Sequence, residues 1–347
     1  MQIALTAKIQ LNMHNLNNER AEEIRRVPVL YKVKDKEGKG AYKLVEEAVA
    51  ISGVMLKHYH FANMVEFLQN NNGKLCLICS RREAIRVPSK EIKKEDLANW
   101  LGIKENDKLL EDYTKIIWNK GEDEIIKNCA GEDVHGFLRP NPPLRRESLI
   151  KFSWMLPTYI NELEDFGTPT PFTVLQHTRN IRNIPEKIST ELKQMQMPYP
   201  RAYGSGVFAF SSIADLGKVG YSFTSKNVVL EEEERVLRRK AIILGYVPLV
   251  SGLAGASLAR ALPSVKIMEL ICVVVMDTPV SIPAPTSPIY DDYYPDLVNI
   301  YKGFANLTKA KVKIFSYGFQ DKLDEIVELV NEPFDVFIKA LKFFNLE

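Results

Sequence analysis

The chain has 347 residues, 46% of them hydrophobic, enough for two ordinary domains or one large domain with insertions around a real core. Its 46 Lys and Arg against 44 Asp and Glu leave a net charge of only +2, so no global field announces a nucleic-acid partner and any basic surface has to be local. Four cysteines exclude a disulfide framework, and the most apolar run, Leu270 to Met276, is too short to cross a bilayer as a helix.

The opening QIALTAKIQLNM puts Ile3, Leu5, Ala7, Ile9 and Leu11 on one face, the period of a half-buried first core strand. It lacks the basic start and long apolar core of a secretion signal, so a cytoplasmic, reducing location with no membrane contact is expected. VPVLYKV and AYKLVEEAVA flank the turn-rich KDKEGKG and predict a hairpin. Ser52 is placed to cap a helix running to about Phe67, with Met55, Tyr59, Phe61, Ala62, Val65 and Leu68 as its apolar stripe. Lys57 and His60, three apart, share a face of that helix.

From about Asn70 to Asn128 the pattern turns charged and helical, with KEIKKEDLANWLGI and NDKLLEDYTKIIW as short helices, and reads as an insertion. Within it CLIC gives Cys76 and Cys79 the spacing of half a zinc site. No second pair stands at a suitable distance and His58 and His60 are not in a finger arrangement, so both are read as core cysteines, with no metal or other cofactor expected. His135 and His177 have no G-x-S-x-G, HExxH or spaced carboxylate pair beside them, so a hydrolase has no assembled cast.

Arg145 and Arg146 follow PNPP on a predicted loop, where a solvated face is the ordinary reading. SLIKFSWMLPTYI returns to strand-like alternation, and GTPTPF and QMQMPYP fence off an irregular segment. Residues 166–228 carry seven Lys and Arg against three acids, whereas the last thirty residues carry seven acids against three lysines. In the basic segment His177, Arg179 and Arg182 stand with Gln176 and Thr178 beside Phe172, the mix of phosphate donors and aromatics that holds single strands. An exposed polar hairpin without a ligand fits the same residues.

SGVFAFSSIADLGKVGYSF predicts two strands joined by a tight turn at Leu216-Gly217-Lys218, and LEEEERVLRRKAIILGYVPLV a helix with acids in its first turn. Gly245, Gly252, Gly255 and Arg260 then lie between that helix and the apolar strand. A nucleotide-hydrolysing loop needs the reverse order, strand before helix, and a Lys that is missing here. What remains is a loop whose amides, from Ser251 through Gly252 and Gly255 to Arg260, follow a sugar-phosphate backbone, or a plain connection whose glycines only cap. The Pro-rich TPVSIPAPTSP leads into a helix near 293–306, the strand AKVKIFSY and an amphipathic last helix. Strand, helix, strand pair, helix, strand is the order of an α+β ferredoxin-like or RNA-recognition-motif (RRM)-like core, here split by long insertions.

Taken together, AISGVMLKHYHF, EDVHGFL, RRESLIKFSWMLP, FTVLQHTR, SGVFAFSSIADLGKVGYSF and RRKAIILGYVPLVSGLAGASLARALPSVKIMEL resemble, in order over about Met1 to Asp277, the DevR autoregulator family. That family forms the repeated backbone subunit of type I-A CRISPR interference (Cascade) complexes. The resemblance implies a hand-like molecule, with palm, fingers and thumb, whose copies stack in a helical homo-oligomer along one CRISPR RNA beside other Cascade subunits. The guide is thereby presented to target single-stranded DNA. Core pieces are expected at 1–69, 134–228 and 229–277, an inserted helical subdomain at 70–133, a thumb hairpin at about 166–203 and C-terminal elements at 278–347.

By position, the resemblance implies RNA contacts at Ser52, Lys57 and His60, at Arg145 and Arg146, at His177, Arg179 and Arg182 of the thumb, and at Ser251, Gly252, Gly255 and Arg260 of the Gly-rich loop. Related type III subunits cut RNA with an acidic residue after the first strand. Residues 12–33 contain no Asp, so a non-catalytic subunit is expected. A CRISPR RNA-processing endoribonuclease of the same superfamily is the alternative, and would need an acid–base pair near the Gly-rich loop. A duplex-binding autoregulator would need a helix-turn-helix that the sequence lacks.

Overall fold

Aliphatic and β-branched residues dominate Gln2–His14, and this stretch forms β1, the centre of the main sheet in the computed structural model. The structure describes residues 1–16, 18–20, 23–34, 39–83, 91–158, 172–177, 199–254 and 262–347, with backbone alone for 18–20, 23, 34, 172–177 and 199–201. Two short strands, β2 (Asn18–Arg20) and β3 (Glu23–Ile24), lead into the hairpin of β4 (Arg26–Lys34) and β5 (Gly40–Val49). Helix α1 (Gly53–Asn70) follows, then α2 (Lys94–Leu101), α3 (Lys108–Asn119), α4 (Glu122–Asn128) and α5 (Ala130–His135). The strands β6 (Phe137–Arg139), β7 (Leu144–Arg146), β8 (Ile150–Phe152), β9 (Leu156–Pro157), β10 (Phe172–His177) and β11 (Tyr199–Ala214) come next. The chain finishes with α6 (Glu232–Val250), β12 (Ser264–Met276), α7 (Tyr293–Thr308), β13 (Lys311–Tyr317), β14 (Val327–Val330) and α8 (Asp335–Phe343).

The main sheet runs β10-β11-β1-β12-β13-β14, and β8 and β9 also pair with β11. Neighbours are antiparallel except β13 and β14. On one face Ile3, Leu5, Ile9 and Leu11 pack with Phe61 and Val65 of α1 and Ile242 and Tyr246 of α6. On the other, Ala4, Ile271 and Val273 pack against Tyr293, Leu297 and Tyr301 of α7. The half-buried first strand expected from period 2 is therefore covered on both sides, because α7 closes the face that alternation assigns to solvent. Helices α2 to α4 gather around a smaller apolar cluster with Leu97, Leu110 and Ile117 at its heart.

One expected hairpin is absent. Residues after β11 do not form a second strand turning at 216–218; only an isolated bridge joins Tyr221 to Val228. Their polar groups are satisfied by side chains instead. Asp215 accepts from the amides of Gly217 and Lys218, while Arg235 donates to the carbonyls of Gly217 and Val219 and Arg239 to that of Leu216. Among the described residues no helix is long and apolar enough to cross a membrane.

Candidate nucleic-acid interface

The start of α1 is fixed by its cap. Ser52 has extended backbone and its hydroxyl accepts from the amide of Met55 at 3.2 Å. Backbone bonds set what surrounds that cap: Ala50 donates to the carbonyl of Arg25 at 3.0 Å, and Ile51 and Met155 exchange bonds of 3.0 and 2.9 Å. The helix start also presses directly on the strand below it, because a Cβ at Gly53 would lie 2.7 Å from the carbonyl oxygen of Phe152. Arg25, the first turn of α1 and the segment from Ser148 to Trp154 thereby enclose an open cleft of about 800 Å³.

The lining of this cleft is chemically one-sided. Arg25, Lys57 and Lys151 supply cationic groups, His58 and Ser52 hydrogen-bonding ones, and Tyr59 and Trp154 aromatic rings, with no Asp or Glu among the lining residues. The Arg25 guanidinium sits over the Trp154 ring at 5.8 Å. Cations beside aromatic faces in an open cleft suit a polyanion that carries flat bases, binding phosphates by charge and bases by stacking.

Of the expected contacts that fall on described side chains, the structure brings Ser52 and Lys57 into this cleft and leaves the others elsewhere. His60 is fully buried: its Nε2 lies 2.9 Å from the carbonyl of Ile242, which can only accept, so Nδ1 accepts in turn from His135 Nε2 at 3.2 Å. Burial brings the His60 pKa down to about 4, so the ring is neutral at pH 7 and ties α1 to α6. Its spacing from Lys57 did not put both on the solvent face, because Lys57 edges the cleft while His60 turns inward. Gly245, read as part of the loop, lies inside α6, where a Cβ would come 2.9 Å from the His60 ring.

Arg146 is likewise no groove residue. It lies in β7, not on a loop, with its side chain fully buried, and donates to Glu122 at 2.7 Å, to Asp133 at 2.6 Å and to the carbonyl of Tyr221 at 2.8 Å. Arg238 reaches the other Asp133 oxygen at 3.0 Å, so the two guanidiniums share one buried carboxylate. Arg145 points outward, three-quarters exposed, and pairs with Glu147 at 3.5 Å; it does not line the cleft.

The expected Gly-rich loop begins as a helix end. Ser251 caps α6 and donates its hydroxyl to the carbonyl of Val247 at 3.0 Å. Gly252 adopts φ +76°, is buried, and would place a Cβ 2.7 Å from Val265 and 2.9 Å from Leu11. Its amide goes to the carbonyl of Leu249 and its own carbonyl accepts from His14 at 3.1 Å, so Gly252 is a helix-terminating residue without an open amide. Burial also lowers the His14 pKa to about 4. Gly255, Arg260, Arg179 and Arg182 lie outside the described residues, as does the side chain of His177, whose strand β10 pairs with β11 from Phe172–Gly204 to His177–Tyr199.

Arg25, Lys151 and Trp154 escaped the sequence reading. Arg25 is one of an Arg pair ahead of a strand, and Lys151 and Trp154 are single residues in an ordinary strand context; the Ala50–Arg25 backbone bond, the pairing of β8 with β11 and the Ile51–Met155 bridge bring them beside Ser52.

The profile of a family described as "CRISPR-associated negative auto-regulator DevR/Csa2" matches residues 5–297. The "CRISPR-associated protein Cas7/Cst2/DevR" of Methanocaldococcus jannaschii is 32% identical over 98% of this chain and all of its own length. Two proteins of Saccharolobus solfataricus are also similar: "CRISPR-associated protein Cas7/Csa2 1", 26% identical over 97% of each chain, and "CRISPR-associated aCascade subunit Cas7/Csa2 2", 27% identical over 72% of this chain and 71% of its own. A solved chain from a "CRISPR RNA-guided surveillance complex" aligns over 99% of this chain with a TM-score of 0.46 and 10% identity.

Proposed function

The chain belongs to the CRISPR-associated DevR/Csa2 family, and on that premise we propose that it is a non-catalytic, CRISPR RNA-binding backbone subunit of a type I-A Cascade complex. In this reading its copies oligomerise along the guide and hold it open for pairing with target DNA. The observation that carries it is the cleft beside Ser52, where Arg25, Lys57 and Lys151 converge with Trp154 and no acid lines the wall.

A guide of arbitrary sequence has to be held without reading its bases, so contacts belong on phosphates, sugars and base faces. Lys57, Lys151 and Arg25 neutralise phosphates there, and Trp154 and Tyr59 offer stacking surfaces. Base pairing, not protein, then reads the target. Arg145 serves a neighbouring stretch of the same groove, and Ser251, Gly255 and Arg260 follow the backbone beyond the end of α6. His177, Arg179 and Arg182 serve as the basic elements of the thumb hairpin.

The strand order supports the RRM-like, ferredoxin-like palm. Taking β1, β8 with β9, β11 and β12 as strands one to four, with α1 and α6 as the crossovers, the sheet order is four, one, three, two. The segment 70–133 then forms the inserted helical subdomain.

The test is a labelled CRISPR RNA titrated with the full chain at two salt concentrations with Mg2+ present. Tight binding of intact RNA that weakens steeply with salt is expected. The slope falls by about 0.7 per phosphate contact removed by substitution. Cleaved RNA would favour the processing-endoribonuclease reading, and preference for duplex DNA would favour an autoregulator.

A further inference from the structure

The residues Cys76, Cys79, Cys129 and Glu132 stand apart from the cleft and from everything assigned to RNA. One ligand atom from each, three Sγ and a carboxylate oxygen, lie within 4.8 Å of one another. We propose that these four side chains form a closed, structural site for a thiophilic divalent cation, zinc before others.

The donor chemistry fits. Zinc takes four ligands in a tetrahedron from thiolate sulfur, imidazole nitrogen and carboxylate oxygen, with Zn–S near ~2.3 Å, which sets sulfurs roughly 3.8 Å apart. The four atoms need only close in slightly to meet that spacing. Four protein donors fill the shell, leaving no position for a substrate, so the role is structural. Three sulfurs exclude magnesium and calcium, which demand oxygen.

Local geometry is organised around the sulfurs. Cys76 and Cys79 bracket a turn that passes into a 3-10 helix (Cys79–Arg81), and the amide of Cys79 points at the Cys76 sulfur at 3.5 Å. The Cys79 thiol in turn donates to Glu132 at 3.5 Å, and that proton is the one a cation would displace. Gly131, between the two downstream ligands, leaves the room: a Cβ there would lie 2.8 Å from the Cys79 sulfur. Cys76 is half-buried on the wall of a pocket of about 400 Å³ that also touches Cys129 and Glu132, so an ion has a path in.

Topology supplies the purpose. Cys76 and Cys79 precede helices α2 to α4, and Cys129 and Glu132 follow them. The amide of Ala130 already donates to the carbonyl of Lys74 at 2.8 Å, joining the two ends of the excursion. A bound cation crosslinks those ends and fixes the base of the helical segment against α1 and α5. The pairing of one Cys-x-x-Cys with a distant cysteine and carboxylate is invisible to a search for a second Cys-x-x-Cys, and it revises the reading of Cys76 and Cys79 as plain core residues.

The test uses the full chain purified under reducing conditions without a metal-affinity column. About one zinc per chain by elemental analysis is expected. Cobalt added to the metal-free, reduced wild type should give a thiolate-to-cobalt charge-transfer band with tetrahedral d–d bands, weakened in Cys76→Ser and displaced by zinc. A chelator should lower the melting midpoint of the wild type and not that of Cys76→Ser. Absence of the charge-transfer band in the reduced wild type would overturn the proposal even if Cys129→Ser fails to fold, and so would two thiols lost to a disulfide as the protein's resting form. RNA affinity is not a readout here, so the site stands or falls apart from the RNA-binding reading.

Discussion

Two basic clusters of this protein use the same side chains to opposite ends. Around Asp133, Arg146 and Arg238 are fully buried and held by carboxylates and carbonyls, so their charge is spent inside the molecule. Around Ser52, Arg25, Lys57 and Lys151 line the wall of an open cleft, and that lining holds no Asp or Glu. Arg145 and Arg146 show how little sequence separates the cases: one residue along β7 carries the side chain from three-quarters exposed to none. A count of basic residues says nothing about available charge; burial and carboxylate partners decide it.

The difference predicts stability effects on one side and binding effects on the other. The largest is Arg146→Ala, which strips Glu122 and Asp133 of a buried partner and should cost about 3–5 kcal/mol, whereas Arg145→Ala, losing an exposed pair, should cost under ~0.5 kcal/mol. Denaturant midpoints of the two variants measure this directly; equal midpoints would erase the distinction.

Next comes acid. His14 and His60 titrate at about 4 in the fold and near ~6.5 when unfolded, so the unfolded chain binds more protons between those values. Stability therefore falls as the pH drops from about 6.5 toward 4, by roughly 3 kcal/mol for each histidine. His60→Asn, which cannot be charged, should flatten its share of that slope, and an unchanged slope would mean that His60 protonates in place. Smaller still, Ser52→Ala removes the cap of α1 at about 1 kcal/mol and should be readable as a modest shift in thermal midpoint.

Much of the architecture was legible from periodicity: the first strand, the hairpin of β4 and β5, the Ser52 cap, and the helices and strand after Asp292 follow from patterns within single segments. The β8-β11 pairing and the coverage of β1 by α7 were not, since they depend on partners far along the chain. The site was legible to the same extent. Ser52 and Lys57 come from one helix start, whereas Arg25, Lys151 and Trp154 are assembled by tertiary contacts. His60 and Arg146 misled because polar residue types suggest surface, and a satisfied buried network looks no different in sequence. Gly252 misled because a helix-ending glycine and a phosphate-cradling glycine share the same backbone freedom.

The cleft beside Ser52 is proposed to hold the RNA backbone. The most direct measurement is equilibrium binding of one CRISPR RNA to wild type, to Lys57→Glu/Lys151→Glu and to Arg145→Glu, at two salt concentrations, with thermal midpoints measured in parallel. The double variant should lose at least about tenfold in affinity and about one to two in salt slope while melting like the wild type, with a smaller loss for Arg145→Glu. Wild-type affinity and slope in a folded double variant would contradict the account and move the RNA to another face.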